Sequence, residues 1–312
     1  MSEGLLASLS RRVLSGLLTA WAAVSLTFFA LRIGAGDPVA SLLSQGLATP
    51  AQAQALRHDL GLDRPLAIQY LDFLGNLVRG DIGTSIYTGR PVATIIGEQL
   101  PSTAELAASG LAIAAALGLG LGVLAAWSGR KPAGRLSAGL ANLATSLPVA
   151  FIGILAILGY SLVNRALPGG APSAVRHLLL PALVLGFASS GAIARVVQFG
   201  LTESLQAPYV LAARARGLAP GLRLLWHALR PVLPPVISLG ALEAAYLFGG
   251  TVVTETVFSR PGLGRLLVSA ILQGDYPIAQ GLVALAALFY TASHLLADGA
   301  AMALDPRLRR QA

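Results

Sequence analysis

The chain contains no cysteine, which excludes disulfides, thiolate metal ligands and cysteine nucleophiles and leaves the redox compartment open. Charge is scarce as well. Asp, Glu, Lys and Arg make up 12% of the 312 residues, where soluble domains carry about 25%. Set against 55% hydrophobic residues, that deficit implies a lipid-facing surface and not merely a large core. Lysine is all but missing, Lys131 being the only one. Motifs for bond chemistry are missing too: there is no G-x-x-x-x-G-K-[ST] to cradle nucleotide phosphates, no H-E-x-x-H and no G-x-S-x-G. His58, His177, His227 and His294 are scattered over regions expected outside, inside and within a membrane. No metal cluster and no catalytic set is therefore expected. The net charge of +8 does not point to nucleic acid, because the basic residues sit at the ends of apolar segments and not on one soluble face.

What the chain does have is long apolar runs. Residues 13–31 carry no charge and are followed by Arg32. The run is too long for the apolar region of a signal peptide, about 7–15 residues, so it reads as an uncleaved first span, residues 13–33. Further apolar segments cover 106–127, 136–163 (with Pro148 inside), 178–194, 232–254 (with Glu243) and 278–304 (with His294 and Asp298). The segment 178–194 is near the minimum span and is expected to extend past Arg195 by snorkelling. This gives an all-α integral membrane protein with six transmembrane helices. Its divisions are a tail at 1–12, the first span, an external loop at 34–101, a five-helix core at 102–304 and a tail at 305–312. The external loop carries two helix signals: Thr49-Pro50 running to Gly61, and a run from Pro65 to Arg79 preceded by Asp63, with Leu66, Tyr70, Phe73, Leu74 and Leu77 on one stripe.

Orientation follows from arginine. Placing the N-terminus in the cytoplasm puts Arg11, Arg12, Arg130, Lys131, Arg135, Arg195, Arg214, Arg216, Arg223, Arg230, Arg307, Arg309 and Arg310 inside. The short outer loops then hold only Arg165, Arg176, Arg260 and Arg265, so both termini are expected in the cytoplasm.

The most basic stretch, within a cytoplasmic loop at 200–231, organises the rest. Pro208 suits the first position of a short helix and Gly217 a left-handed cap. A second short helix is expected from Pro220 to about Leu229, ending before Pro231. Ala212, Ala213, Ala215 and Gly217 leave part of the first helix without bulk, so another protein could approach its backbone. A plain topology-setting loop is the alternative. In the apolar segments, Glu243 belongs either on a water-filled path or in a structural helix pairing. His294 and Asp298 share a helix face and form either a proton relay or a structural pair. Glu255, Pro261, Gly262 and Gly264 mark either an external gate and dock or a plain turn. Gly118 and Gly122 form a G-x-x-x-G that permits close helix crossing, read here as packing within the bundle.

The stretch 209–235 resembles the "EAA" loop of bacterial ABC-importer permeases, of the dipeptide/oligopeptide/nickel branch. The small pair and glycine of that loop match Ala212, Ala213 and Gly217, within ARARG and before HALRP, with Leu211 where the naming glutamate would stand. The branch is also similar at GDP (36–38), LGLDRPLAIQY (60–70), RGDIGTS (79–85), GRPV (89–92), TETVFSRPGLGRLL (254–267), DYP (275–277) and LDPRLR (304–309). The resemblance implies a type I ABC importer permease in a bacterial inner membrane. Such a permease has no cofactor of its own and works by alternating access. Its implied partners are two ATPase subunits that bind ATP and Mg, a second homologous permease and an external substrate-binding protein. It casts Tyr209, Ala212, Ala213, Arg214, Arg216 and Gly217 as the contact to the ATPase. Cargo could be a dipeptide, an oligopeptide, a nickel or other metal chelate, or a glutathione-like solute. The competing class is a proton-coupled secondary transporter working through Glu243, His294 and Asp298.

Overall fold

The computed structural model describes residues 2–34, 37–44, 46, 49–166 and 175–304. Among these, helices account for all regular structure beyond one isolated bridge, Thr84 to Pro91. They are α1 (Ser2–Gly34), α2 (Pro38–Ser44), α3 (Pro50–Asp59), α4 (Leu66–Val78), α5 (Val92–Ser128), α6 (Pro132–Ser146), α7 (Val149–Ala166), α8 (Leu180–Gln206), α9 (Pro208–Ala215), α10 (Pro220–Leu222), α11 (Leu233–Val257), α12 (Leu263–Gln273) and α13 (Tyr276–Leu304).

Four helices are long and apolar enough to cross a membrane unaided, at Ser10–Gly34, Val92–Ser128, His177–Gln206 and Tyr276–Leu296. Two more spans arise only if bent pairs each cross once. Pro132–Ser146 turns by 110° into Val149–Val163, and Pro220–Leu247 turns by 47° into Thr251–Val257. The segment expected as one span over 136–163 is thus broken at Pro148. A proline pushes the residue before it out of the helical region, and Leu147 is extended at φ −92°, ψ 133°. Two further segments are longer than their apolar runs. Helix α5 begins already at Val92 and runs through Pro101, while α8 continues past Arg195 to Gln206. The tail 305–312, with Arg307, Arg309 and Arg310, lies outside the described residues, as do Gly36 and the side chain of Asp298.

The chain divides into two compact units. The first contains Ala104–Arg260, with α8 at its centre, buried over 56% of its apolar window against 17% for α1. Small residues let the neighbouring helices reach it. A Cβ at Gly118 would lie 2.6 Å from Ile193 Cβ, and one at Gly122 2.6 Å from the Ala194 carbonyl, so α5 and α8 meet backbone to backbone. Gly191 sits equally close to Ala141 of α6, 2.6 Å from its carbonyl. The close packing expected of the G-x-x-x-G is therefore internal to the chain. Ala114, Ile193, Val197, Leu201, Val210, Ala228, Val232 and Val236 form one buried cluster that runs from these helices into the basic loop.

The second unit holds Val13–Thr103 and Pro261–Thr291. Thr49 caps α3 in a full capping box with Gln52. Pro65 stands at the N-cap of α4 with no side-chain cap bond, so Asp63 plays no capping part. Helix α4 lies against α1 through the expected stripe. Phe28 stacks on Phe73 at 5.3 Å and meets Tyr70 edge-on at 5.2 Å, and the Ser25 and Tyr70 hydroxyls hydrogen-bond at 2.6 Å. Two of the recognisable strings also converge here. Asp275 of DYP is buried and accepts from the Ser85 hydroxyl at 2.5 Å and the Ile86 N–H at 3.3 Å, both from the RGDIGTS turn region.

Candidate functional site: the basic loop and its neighbours

Helix α9 has proline at its first turn and ends as expected. Gly217 is left-handed at φ 78°, its N–H reaching the Arg214 carbonyl at 3.0 Å while the Leu218 N–H reaches that of Ala213 at 3.2 Å. That pair of bonds is a Schellman close. Val210 and Ala213 point inward, 4% and 5% exposed, and Val210 pins the helix to the buried cluster. Ala213 is therefore a packing residue and not part of an outer contact surface. Tyr209, Leu211, Ala212, Arg214, Ala215, Arg216 and Gly217 face out. The result is a short knob with a bare, small-residue crown and flanking guanidinium groups.

The second short helix runs from Pro220 to Ala228, close to its expected end at about Leu229. Residues Arg223–Ala228 wind as a wide turn, with the Leu229 N–H reaching five residues back to Leu224 at 2.8 Å. A tight turn at Arg230–Val232 then feeds α11. The widening absorbs the hydrogen bond that Pro231 cannot donate, so the basic loop is joined without a gap to a membrane helix. Sequence reading missed the apolar members of this surface. Leu225 and Trp226 are exposed at 61% and 63%, and a groove of about 680 Å³ opens beside α9, lined among others by Arg195, Phe199, Glu203, Tyr209 and Pro231. Large apolar residues inside an arginine-rich loop were the signal for it. Tyr209 is anchored in that wall by a 2.7 Å hydrogen bond between its hydroxyl and that of Ser204.

Glu243 on α11 lies beside Ser189 of α8, and its Oε2 is buried with no hydrogen-bond partner.

The external candidates separate. Glu255 is fully buried, so it cannot form part of a docking surface as it stands. Pro261 is exposed, and its carbonyl accepts from Ser102 at 2.6 Å. Gly262 is buried and its backbone is extended at φ 168°, while Ser259, three residues earlier, is left-handed at φ 52°. Arg260, counted as an outer-loop charge, is buried, ion-paired with Glu105 at 2.6 Å, and donates to the His177 carbonyl. Among the described residues no group of three or more His, Asp or Glu side chains could hold a metal ion.

The arrangement is that of a helical membrane body with a short exposed helix, and the comparisons agree with it. The family described as "Binding-protein-dependent transport system inner membrane component" matches residues 118–310, and its N-terminal counterpart matches 5–107. A probable peptide ABC transporter permease protein of Sinorhizobium fredii is 35% identical over 90% of this chain and 92% of its own length. A glutathione transport system permease protein of Pectobacterium atrosepticum is 35% identical over 96% and 97%. A di/tripeptide transport system permease protein of Pseudomonas aeruginosa is 34% identical over 98% and 100%. With one family match spanning most of the chain and several near full-length relatives, the protein is a multi-pass membrane permease subunit without catalytic activity, and it belongs to the family of binding-protein-dependent transport system inner membrane components.

Proposed function

We propose that this permease moves short peptides inward by alternating access, driven by ATP hydrolysed with Mg on two separate ATPase subunits. A second, homologous permease and an external substrate-binding protein complete the assembly, and the chain crosses the membrane six times with both termini in the cytoplasm. The observation that carries the reading is α9: a short, outward helix whose inner face is buried in the same apolar cluster as α8 and α11. Force applied to its crown passes through packed side chains into two membrane helices, because close-packed interiors transmit displacement instead of absorbing it. Tyr209, Ala212, Arg214, Arg216 and Gly217 form the partner contact, and Pro261 belongs to the external face. The names of the relatives support peptides as cargo, ahead of metal chelates.

Reconstitution tests this reading. In proteoliposomes holding the assembled importer and supplied with binding protein, uptake of a labelled dipeptide is expected to require ATP and to persist when an uncoupler collapses the proton gradient. Uptake that ignores ATP and vanishes with the uncoupler would instead establish the proton-coupled class.

A further inference from the structure

The unit formed by Val13–Thr103 and Pro261–Thr291 carries an open cavity of about 470 Å³, separate from the groove beside α9. That volume lies in the range of small-solute pockets. Its wall carries Arg32 and Arg64 against Asp72 and Asp81, with Gln69 and Gln280 between them. The lining is neutral as a whole and strongly dipolar.

Arg32 enters from the last turn of α1. Its Nε donates to Gln69 Oε1 at 2.9 Å, and its guanidinium lies over the Phe28 ring, 3.7 Å from the centroid. Gln69 is itself committed, donating to the carbonyls of Arg64 at 2.9 Å and Leu62 at 3.3 Å. The guanidinium is thus held on two sides, yet its Nη1 is buried without a partner. Gln280, in the second turn of α13 and only 5% exposed, presents another such donor, since its Nε2 is also buried and unpartnered. Buried donors left open are costly and uncommon. The acidic side chains of the wall are already engaged: Asp72 pairs with Arg64 at 3.2 Å, and Asp81 accepts from the Gly83 N–H at 2.8 Å. Two unpartnered donors, one of them cationic, suit a carboxylate.

We propose that this cavity is a carboxylate subsite, in which Arg32 Nη1 and Gln280 Nε2 take the terminal carboxylate of a short peptide. The choice of a peptide rests on the function proposed above. The geometry by itself asks only for a carboxylate.

The test is ligand-observed NMR on the purified full-length chain in lipid nanodiscs, with no binding protein present. The probes are acetate, alanyl-alanine and the C-terminal amide of alanyl-alanine. Acetate and alanyl-alanine are expected to bind, and the amide to bind at least about tenfold more weakly for want of the charged acceptor. Gln280→Met keeps the side chain's volume and removes the donor; Gln280→Glu keeps its shape and opposes the ligand's charge. Both are expected to weaken alanyl-alanine by about tenfold or more. The acid-against-amide comparison is made on the unaltered chain, so it stands even if a variant fails to fold. Failure of acetate and dipeptide to bind at about 10 mM, a scale weaker than any useful subsite, overturns the proposal. Equal binding of the amide does so too. Uptake of the dipeptide by the assembled importer without binding to the chain would reject the subsite and leave the transport reading standing. Binding without ATP-driven uptake would do the reverse.

Discussion

Gly217→Arg is expected to abolish ATP-driven uptake while the chain still inserts and folds. A Cβ at Gly217 meets nothing within 4 Å, so the new side chain stands free at the end of α9, where φ is 78°. The local cost is that of an L-residue in the left-handed region, about 1–2 kcal/mol, and it falls on the Schellman close. The added guanidinium projects beside Arg214 and Arg216, at the crown where a partner must come close. A bulky charge there holds the partner off, and binding surfaces reject such intrusions strongly. Uptake is expected to fall by on the order of 100-fold, equivalent to about 2.8 kcal/mol of lost coupling. Gly217→Asn separates the two causes, because asparagine tolerates the left-handed region and is short. It should transport within about twofold of the unaltered protein, a difference worth only a few tenths of a kcal/mol. Equal loss in both variants would assign the effect to the backbone and not to the docking surface. Uptake assays paired with size-exclusion profiles of the purified protein read both quantities.

Gly122→Val is expected to remove folded protein altogether. A Cβ at Gly122 would sit 2.6 Å from the Ala194 carbonyl oxygen and 2.6 Å from Val197 Cβ. The carbonyl belongs to helical backbone and cannot rotate away, so α5 and α8 must part. Val197 and Ile193, now 0% and 2% exposed, would lose their packing. Overpacking alone costs about 1–3 kcal/mol, and separation of the helices adds to it. Gly120→Val, two residues away on the same helix, meets nothing within 4 Å and is expected to leave the melting temperature unchanged. Thermal unfolding of both variants in detergent decides the matter: equal behaviour would mean that α5 does not touch α8 through its glycines.

These two glycines also mark what the sequence could and could not reveal. Gly217 was legible because a left-handed cap after a short helix leaves a local signature, and Gly122 because its spacing from Gly118 matches one helix turn. The capping box at Thr49 and the aromatic stripe of α4 are local in the same way. Longer-range features were not. Pro148 announced a disturbance, but a 110° turn depends on what α6 and α7 each pack against. The pairing of Ser85 with Asp275 joins residues 190 positions apart, and no periodicity encodes it. Glu255 looked like a loop charge because burial is a tertiary property; the fold places it at zero exposure. The inward turn of Ala213 escaped notice for the opposite reason, since alanine is equally at home on a bare crown and in a core.

The central claim is that the outward face of α9 receives a nucleotide-hydrolysing partner, and the absence of native cysteine makes it directly testable. A single Ala212→Cys, on the exposed crown, is placed in the full-length chain and co-expressed with the ATPase subunits. A short thiol-reactive cross-linker with a lysine-reactive second arm is then applied to the membranes. A covalent adduct between this chain and the ATPase from position 212, and none from an equivalent cysteine at exposed Leu272 of α12, is the predicted result. An adduct from position 272 with none from position 212 would contradict the account.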